Sequence, residues 1–343
     1  MPPFSVLDAR QGYWQERKRA WLALGLRGEL GRGDKLTFGD EQHRQMAHKK
    51  GGLIQGGISG GDPKFYQLKR AKEKELGRTL STTEFRVEHY TPEDSRLYSK
   101  ESGRTSVMDP VLCELAYRWF CPQEGHVINP TAGESVYGIV AGYLGYTYEG
   151  VELRAEQIAD NEQQAVEIGV SDKAKWIHGD GRNTAQLVAP ADLIMCCPPY
   201  HDLEVYSDDP QDISTLDDYT EFMEAYRLIV ASAVDALKPD RFAFFVVGDI
   251  RDKRGHYRNF VSDTIGAFRS AGCELYNEAI FVTPAGSLPI RTPAQFTNSR
   301  KLGKTHQNVL IFVKGDWRKA VAACGPVTVE VPDGFGTDND NDN

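Results

Sequence analysis

The chain has 343 residues, which is enough for one large domain or two of ordinary size. Hydrophobic residues make up 40% and charged residues 26%, as in water-soluble globular proteins, and no apolar run is long enough for a membrane span. The formal net charge of −9 excludes a uniformly basic surface, so any contact with nucleic acid must use local basic patches. The N-terminus lacks the features of a signal peptide, which predicts a cytoplasmic location.

Residues 1–104 are predicted to form a small accessory region. They hold 20 Lys and Arg against 14 Asp and Glu, an excess that the rest of the chain reverses. Two helix-like segments, 11–24 and 62–76, flank a glycine-rich stretch at 51–61. The basic excess fits contact with DNA, and a solvated surface without a partner explains it equally well.

From about residue 105 to 318, strands alternate with helices. The predicted strands are short apolar runs at 126–128, 147–151, 174–177, 193–196 and 242–247. The predicted helices are at 111–120, 136–144, 155–168, 182–187 and 219–237. Strands separated by helices pair in parallel through right-handed crossovers, which gives a doubly wound α/β sheet.

After the fifth strand the pattern predicts a helix at 260–271, a strand at 274–282, a loop at 284–304 and a strand at 307–313. Because no helix is expected between the last two strands, they should pair antiparallel. Five parallel strands with such a terminal pair are typical of the Rossmann-like, seven-stranded sheet of S-adenosylmethionine-dependent methyltransferases. The acidic residues 319–343 are predicted to be a disordered tail.

Loops at the carboxyl ends of parallel strands are the expected ligand site. In the loop after the first strand, residues 129–135, Gly133 allows close approach of a ligand to the backbone. Glu152 ends the second strand and is placed to bind a ribose diol, and Asp180 follows the third and is placed to meet an adenine amino group. An acid at either position alone is more often a helix cap or a solvated loop residue. Two acids at the ends of successive strands favour an adenosyl cofactor.

The most specific signal is Cys197-Pro198-Pro199-Tyr200, directly after the fourth strand. Two prolines stiffen the backbone and lack N–H groups, so their carbonyls remain free to accept from a donor such as a base amino group. Tyr200 offers a flat face for a base taken out of the helix stack. A plain Pro-Pro turn with a packed tyrosine is the alternative.

Two basic clusters are expected beside this site. They comprise Arg251, Lys253 and Arg254 after the fifth strand, and Arg291, Arg300, Lys301 and Lys304 in the 284–304 loop. Both are candidates for contacts with phosphates or base edges. For the second cluster, a mobile edge loop without a ligand is the alternative.

At these residues the sequence resembles the DNA amino-methyltransferases that modify adenine N6 or cytosine N4. Their Asp/Asn/Ser-Pro-Pro-Tyr motif is matched at 197–200, and their Asp-Pro-Phe-x-Gly-x-Gly loop is matched more loosely at 129–135. The resemblance covers roughly residues 105–315. Within it, 109–115 and 300–308 resemble phage-associated DNA methylases.

The resemblance implies a DNA-modifying enzyme with S-adenosylmethionine as cofactor and DNA as partner. The implied cofactor-binding residues are Asn129, Thr131, Gly133, Glu134, Ser135, Glu152, Leu153, Asp180, Gly181 and Cys196. The implied catalytic residues are Cys197, Pro198, Pro199 and Tyr200, which would hold a flipped base while its amino nitrogen attacks the methyl carbon directly. Asn129 and Thr131 depart from the family's Asp and Phe. Cys197 is nearest in size and polarity to the Ser of the cytosine enzymes, which favours cytosine N4.

Four alternatives remain open at this level. Related Pro-Pro-Tyr enzymes modify RNA or the glutamine side chains of proteins, although those relatives usually carry Asn at the first position. The altered 129–135 loop is also consistent with transfer of a larger group from a modified cofactor, or with a catalytically inactive DNA-binding protein. The sequence leaves open the recognised DNA site, the role of residues 1–104 and whether the chain forms a homodimer.

Overall fold

The computed structural model describes residues 3–28, 72–79, 107–201, 206, 207, 209–285 and 288–327. They belong to two compact units. The larger unit holds 3–28, the described residues of 107–284, and 305–327; the smaller holds 72–79, 285 and 288–304. Of the predicted N-terminal elements, the glycine-rich stretch and residues 62–71 lie outside the described part of the chain, whereas 72–76 are helical.

The described residues of the larger unit form eight strands. They are β1 (Val6–Asp8), β2 (His126–Asn129), β3 (Thr147–Glu152), β4 (Ala174–His178), β5 (Ala191–Cys196), β6 (Leu237–Val247), β7 (Cys273–Val282) and β8 (His306–Lys314). The five central strands and the last two lie within a few residues of their predicted positions, apart from β6, which begins five residues early. Each of these strands contains at least one β-branched or aromatic residue, the types favoured in strands.

The numbered helices follow the same alternation. They are α1 (Gly12–Ala23), α2 (Pro110–Phe120), α3 (Val136–Tyr143), α4 (Ala155–Ile168), α5 (Thr184–Leu187), α6 (Tyr219–Ala236), α7 (Phe260–Ser270), α8 (Leu288–Ser299) and α9 (Trp317–Cys324). Short 3₁₀ turns occur at Gly181–Asn183 and Ile213–Thr215. Among the described helices none has the length and apolar character of a membrane span.

The strands join in one sheet with the order β1-β7-β8-β6-β5-β2-β3-β4. Strands β2 to β6 pair in parallel with one another, and β8 runs antiparallel between β6 and β7. This is the Rossmann-like methyltransferase fold, so the predicted parallel sheet with its terminal antiparallel pair is confirmed. The prediction of seven strands is one short, because the N-terminal strand β1 pairs in parallel with β7 at the edge.

The N-terminal helix α1 packs on α2 through two buried carboxylates. Trp14 Nε1 donates to Asp109 at 3.2 Å, and Trp21 Nε1 donates to Glu114 at 3.0 Å. Arg17 adds a salt bridge to Glu114. Residues 3–28 are therefore part of the sheet unit. Their polar sequence predicts instead that they belong to the accessory region.

Alternating side chains of β5 and β6 fill two separate cores, as the two-residue period of a strand requires. Leu193 and Phe244 face the core beneath α1 to α4, whereas Ile194 and Phe245 face the core beneath α6 and α7. Covering both faces with helices explains why β5 is buried along its whole length. It also leaves the carboxyl ends of the strands as the place where polar loops gather.

Two predictions about the C-terminal third are wrong. The expected loop at 284–304 contains α8, because Pro289 lies in the first turn, where a missing N–H is tolerated, and only Pro293 lies inside the helix. The expected tail begins too early, because 319–324 belong to α9, which Asp316 caps and whose Ala320 is buried. The predicted disorder at 328–343 lies outside the described residues.

Candidate active site

The loop between β2 and α3, residues 129–135, is fixed to the strands on both sides. Asn129 is buried at the end of β2, and its Oδ1 accepts the N–H of Thr131 at 3.1 Å. The N–H of Ala132 donates to a carbonyl of β3 at 2.8 Å. On the other side, Thr131 Oγ1 lies 3.2 Å from Cys196 Sγ at the end of β5. This β2–α3 loop therefore lies directly beside the start of the Pro-Pro-Tyr segment.

A closed ring of hydrogen bonds holds the backbone of Gly133. Its N–H donates to Glu152 Oε2 and its carbonyl accepts from Asn161 Nδ2, both at 2.8 Å. Gln157 donates to Asn161 Oδ1 at 2.9 Å and accepts from the Arg154 guanidinium. The N–H of Arg154 then donates to Glu152 Oε1 at 3.0 Å, which completes the ring.

The ring leaves one side of the loop open. Gly133 has a φ of +58°, and a Cβ built there would meet no atom within 4 Å. Burial raises the pKa of Glu152, and the N–H donors of Arg154 and Gly133 act in the opposite direction. The next residue, Leu153, is fixed through its carbonyl, which accepts from His178 Nε2 at 2.9 Å. The end of β3 is thus rigid and carries a carboxylate with 12% of its side chain exposed.

The side chains of Glu134 and Ser135 contact protein groups. Glu134 Oε1 accepts the N–H of Met108 at 2.6 Å, and Ser135 Oγ donates to Gln164 Oε1 at 2.7 Å. Both residues are buried. Their predicted contact with a cofactor stays a prediction.

The loop after β4 approaches the β2–α3 loop closely. A Cβ at Gly181 would lie 2.4 Å from the Pro130 carbonyl oxygen, so only glycine fits at this contact. Asp180 caps the 3₁₀ turn by accepting the N–H of Arg182 at 2.9 Å, and it also accepts from the Arg182 guanidinium at 2.8 Å. The carboxylate predicted to meet an adenine amino group therefore already has an ionic partner.

The segment Cys197-Pro198-Pro199-Tyr200, called the β5 loop, leaves the buried end of β5. Pro198 and Tyr200 are buried, whereas Cys197 and Pro199 are half-buried. The preceding Cys196 belongs to the core beneath α6, as its position in the strand predicts.

The Tyr200 hydroxyl points into the protein. It accepts from Gln307 Nε2 at 3.4 Å and lies 4.0 Å from Cys197 Sγ. The ring packs edge-to-face on Phe260, with the ring centroids 5.7 Å apart. Burial raises the pKa of Tyr200 well above its usual value, so the phenol is neutral at physiological pH.

A basic hairpin, residues 250–258, lies between β6 and α7. Its strands meet at a bridge between Arg251 and Tyr257, and Asp252 Oδ1 accepts two backbone N–H groups within the turn. The Arg251 guanidinium stacks 3.9 Å from the centroid of the Tyr257 ring, which is 49% exposed. The predicted nucleic-acid-binding residues of this hairpin, Arg251, Lys253 and Arg254, are all exposed.

The other predicted basic cluster belongs to the smaller unit. Arg300 follows α8 with a φ of 56°, and its guanidinium lies 5.3 Å from the Phe296 ring centroid. Lys301 and Lys304 are half-buried in the segment that leads to β8. Arg291 lies in α8, but its side chain is not among those that the structure describes. The role of these four residues stays a prediction.

Sequence reasoning missed the amide side chains that support the site. Gln157, Asn161 and Gln164 follow one face of α4 at spacings of four and three residues, and all three are buried. Amides at the positions where an amphipathic helix normally carries apolar residues are the signal that predicts such a polar contact. Gln307 gave no such signal, because its partner lies 107 residues away.

No protein-family model and no curated protein sequence matches the chain. TrmN from Thermus thermophilus is 14% identical over 60% of this chain and 49% of its own, with a TM-score of 0.41. Magnesium protoporphyrin IX methyltransferase from Synechocystis PCC 6803, with bound S-adenosylmethionine, is 12% identical over 69% of this chain and 99% of its own, with a TM-score of 0.39. A candidate DNA modification methylase, also from Thermus thermophilus, is 18% identical over 45% of this chain and 54% of its own, with a TM-score of 0.30.

The chain thus spans about half the length of TrmN and of the candidate DNA modification methylase. At these scores the likenesses carry no weight for function. The fold assignment rests on the strand order and directions of the chain itself.

Proposed function

We propose that this chain is an S-adenosylmethionine-dependent methyltransferase that modifies an exocyclic amino group of a DNA base, cytosine N4 in preference to adenine N6. The observation that carries the proposal is the 3.2 Å contact between Thr131 Oγ1 and Cys196 Sγ. It places the loop suited to an adenosyl cofactor next to the loop suited to an amino acceptor. Group transfer between two bound molecules requires such adjacency.

The β2–α3 loop fits an adenosyl cofactor. The open side of Gly133 leaves room for a ligand against the backbone, and the adjoining α3 begins with N–H groups that lack helical partners. Each oxygen of Glu152 accepts one backbone N–H and, as a carboxylate oxygen, retains a second lone pair for a ribose hydroxyl. S-adenosylmethionine, when bound, supplies an electrophilic methyl group.

The β5 loop would orient the acceptor. Pro198 and Pro199 lack N–H groups, so at these two positions the backbone presents acceptors only. An amino group that donates its hydrogens to these carbonyls directs its nitrogen lone pair away from them. The Cys197 thiol is a weak acceptor, so the Pro198 carbonyl would carry most of this role. Tyr200 is 7% exposed, so a base that stacks on its face must displace the contacts that now cover the ring.

DNA is favoured as the acceptor by the basic hairpin. Exposed Arg251, Lys253 and Arg254 follow β6, the neighbour of β5 in the sheet, and so lie at the same edge as the β5 loop. Cationic side chains on a fixed turn are suited to phosphate oxygens. The exposed Arg251–Tyr257 stack adds a flat surface of the kind on which nucleobases pack.

Mass spectrometry of nucleosides tests the proposal. The full chain is incubated with S-adenosylmethionine and one acceptor in each reaction: DNA, RNA or protein. The digested products are compared with enzyme-free controls. We expect one added methyl group on cytosine or adenine of DNA. Methylation of RNA or protein alone would reassign the acceptor, and a heavier added group would reassign the donor. Calorimetry that detects no binding at millimolar S-adenosylmethionine would instead favour a non-catalytic relative.

A further inference from the structure

Two consecutive residues of the β2–α3 loop are tied to the two ends of the segment that runs from residue 29 to 106. At the far end, the N–H of Met108 donates to Glu134 Oε1 at 2.6 Å. Glu134 is 5% exposed, so this charge-assisted bond is shielded from water. The carboxylate therefore fixes the point at which the chain returns to the sheet unit.

At the near end, Gln164 links Arg27 to Ser135. The Gln164 amide pairs with the Arg27 backbone as a neighbouring strand would, accepting its N–H at 3.3 Å and donating to its carbonyl at 3.1 Å. The same Oε1 atom accepts the Ser135 hydroxyl at 2.7 Å. Gln164 is completely buried, so the loss of any one of these bonds leaves a polar group without water to replace it.

The two ends also meet each other. A Cβ at Gly28 would lie 2.2 Å from Val107 Cγ1 and 3.0 Å from Val136 Cγ2, so Gly28 and Val107 meet beside the first residue of α3. A side chain at this position would force the Val107 side chain to move. The two junctions, 27–28 and 107–108, are therefore packed on the loop that would hold the cofactor.

We infer that Glu134 and Ser135 are positioning residues that make the ordering of the β2–α3 loop and of the two junctions a single event. An adenosyl cofactor bound at the loop then also orders the junctions. By reciprocity, loss of the junction contacts lowers the affinity for the cofactor. The inference rests on the proposed function, because it requires an adenosyl ligand at the loop.

Hydrogen exchange measures the two N–H groups involved directly. The amides of Arg27 and Met108 are followed in the full chain with and without S-adenosylhomocysteine. We expect the ligand to slow exchange at both amides together with the β2–α3 loop, by about tenfold, the size of a typical coupling.

Two substitutions at Glu134 distinguish a positioning role, which requires a hydrogen-bond acceptor for Met108, from a general structural role. In Glu134→Ala the Met108 amide has no acceptor, so its protection by the ligand is lost and the Kd for S-adenosylhomocysteine rises about tenfold. In Glu134→Gln the amide oxygen still accepts the Met108 N–H, so protection is retained and the Kd stays within about twofold of the wild type. Circular dichroism checks that both variants fold.

Two results overturn the inference. One is ligand protection of residues 129–136 in the wild type without any change at Arg27 and Met108. The other is a Glu134→Gln variant that behaves like Glu134→Ala. A wild-type chain that binds no S-adenosylhomocysteine at all contradicts the proposed function itself, which is a distinct result.

Discussion

The Tyr200 hydroxyl and Gln307 Nε2 lie 3.4 Å apart, which joins the β5 loop to the start of β8. The contact links β5 and β8, which are not neighbours in the sheet because β6 lies between them. The Cys197 thiol, a weak hydrogen-bonding group, also lies near the hydroxyl, but at 4.0 Å. The shorter contact with Gln307 therefore holds the Tyr200 hydroxyl in place.

We expect Gln307→Leu to lower the rate of methyl transfer about tenfold and to leave the Kd for S-adenosylmethionine unchanged, because a displaced acceptor loop is penalised in the reaction step. In a Tyr200→Phe background the same substitution should have no further effect. Single-turnover assays and calorimetry measure both quantities. Asn308→Leu is the control, because that amide donates to Glu278 on the other side of the strand; an equal loss there would refute the role of Gln307.

Gly133 offers a second test, with Gly169 as a matched control. Both have positive φ, +58° and +82°, and a Cβ would meet no atom within 4 Å at either position. Alanine at either site should therefore cost a similar free energy of unfolding, about 1 kcal/mol. Only Gly133→Ala should weaken S-adenosylmethionine binding, because only that methyl group projects into the open side of the loop. Urea denaturation and calorimetry compare the two; equal affinities would remove Gly133 from the cofactor site.

The basic hairpin is tested by the salt dependence of DNA binding. Replacing Arg251, Lys253 and Arg254 by Gln should reduce the slope of log K against log salt by about 2 to 3 for a random-sequence duplex, since each phosphate contact contributes about 0.9. The charge-matched control replaces exposed Lys175, Arg269 and Lys319, which lie at the amino-terminal side of the sheet. A slope that changes equally in both variants would show that only net charge matters.

Docking of α1 depends on Glu114. This carboxylate accepts from Trp21 Nε1, Arg17 and Arg118, and although burial acts to raise its pKa, the donors hold it below its usual value. Glu114→Leu should lower the free energy of unfolding by about 2 kcal/mol, because the buried indole N–H loses its acceptor. Glu114→Gln, which retains an acceptor, should lose less.

A double-mutant cycle with Trp21→Phe isolates the bond. Phe has no N–H, so Glu114→Leu should cost about 1 kcal/mol less in that background. Strict additivity of the two substitutions in urea denaturation would show that the bond is not the source of the stabilisation.

His126, the first residue of β2, predicts that the stability of the protein depends on pH. Burial lowers the pKa of its imidazole despite the nearby Glu149, whose carboxylate lies 3.2 Å from Nε2. A depressed pKa in the folded state means that the unfolded chain binds the proton more readily. The stability gained from His126 is therefore present above its ordinary pKa of 6.5 and is lost as the pH falls below it.

Denaturation of the wild type and of His126→Gln at about pH 8 and about pH 5 measures this effect. The difference in free energy of unfolding between the two proteins should shrink at the lower pH. A difference that grows on acidification would mean that the ring is charged in the folded protein.

The sequence determined the alternation of strands and helices, because hydrophobic period and length are local properties. It located β2 to β8 and the helices between them, except α8, to within about five residues. It also placed 129–135, Glu152 and 197–200 at strand ends, since in a parallel sheet these ends share one edge whatever the detailed packing. The stiffness of the Cys-Pro-Pro-Tyr backbone could be predicted without tertiary information, because it comes from the covalent rings of the two prolines.

Only the tertiary structure decided where side chains bond. The addition of β1 to the sheet, the ring around Gly133 and the contacts of Glu134 with Met108 and of Gln307 with Tyr200 all join residues far apart in the chain. A carboxylate or amide has the same local signature whether it meets a ligand, a cap or a distant N–H. Its partner is chosen by the packing of whole elements, because burial obliges each polar group to find whichever donor or acceptor that packing brings within reach.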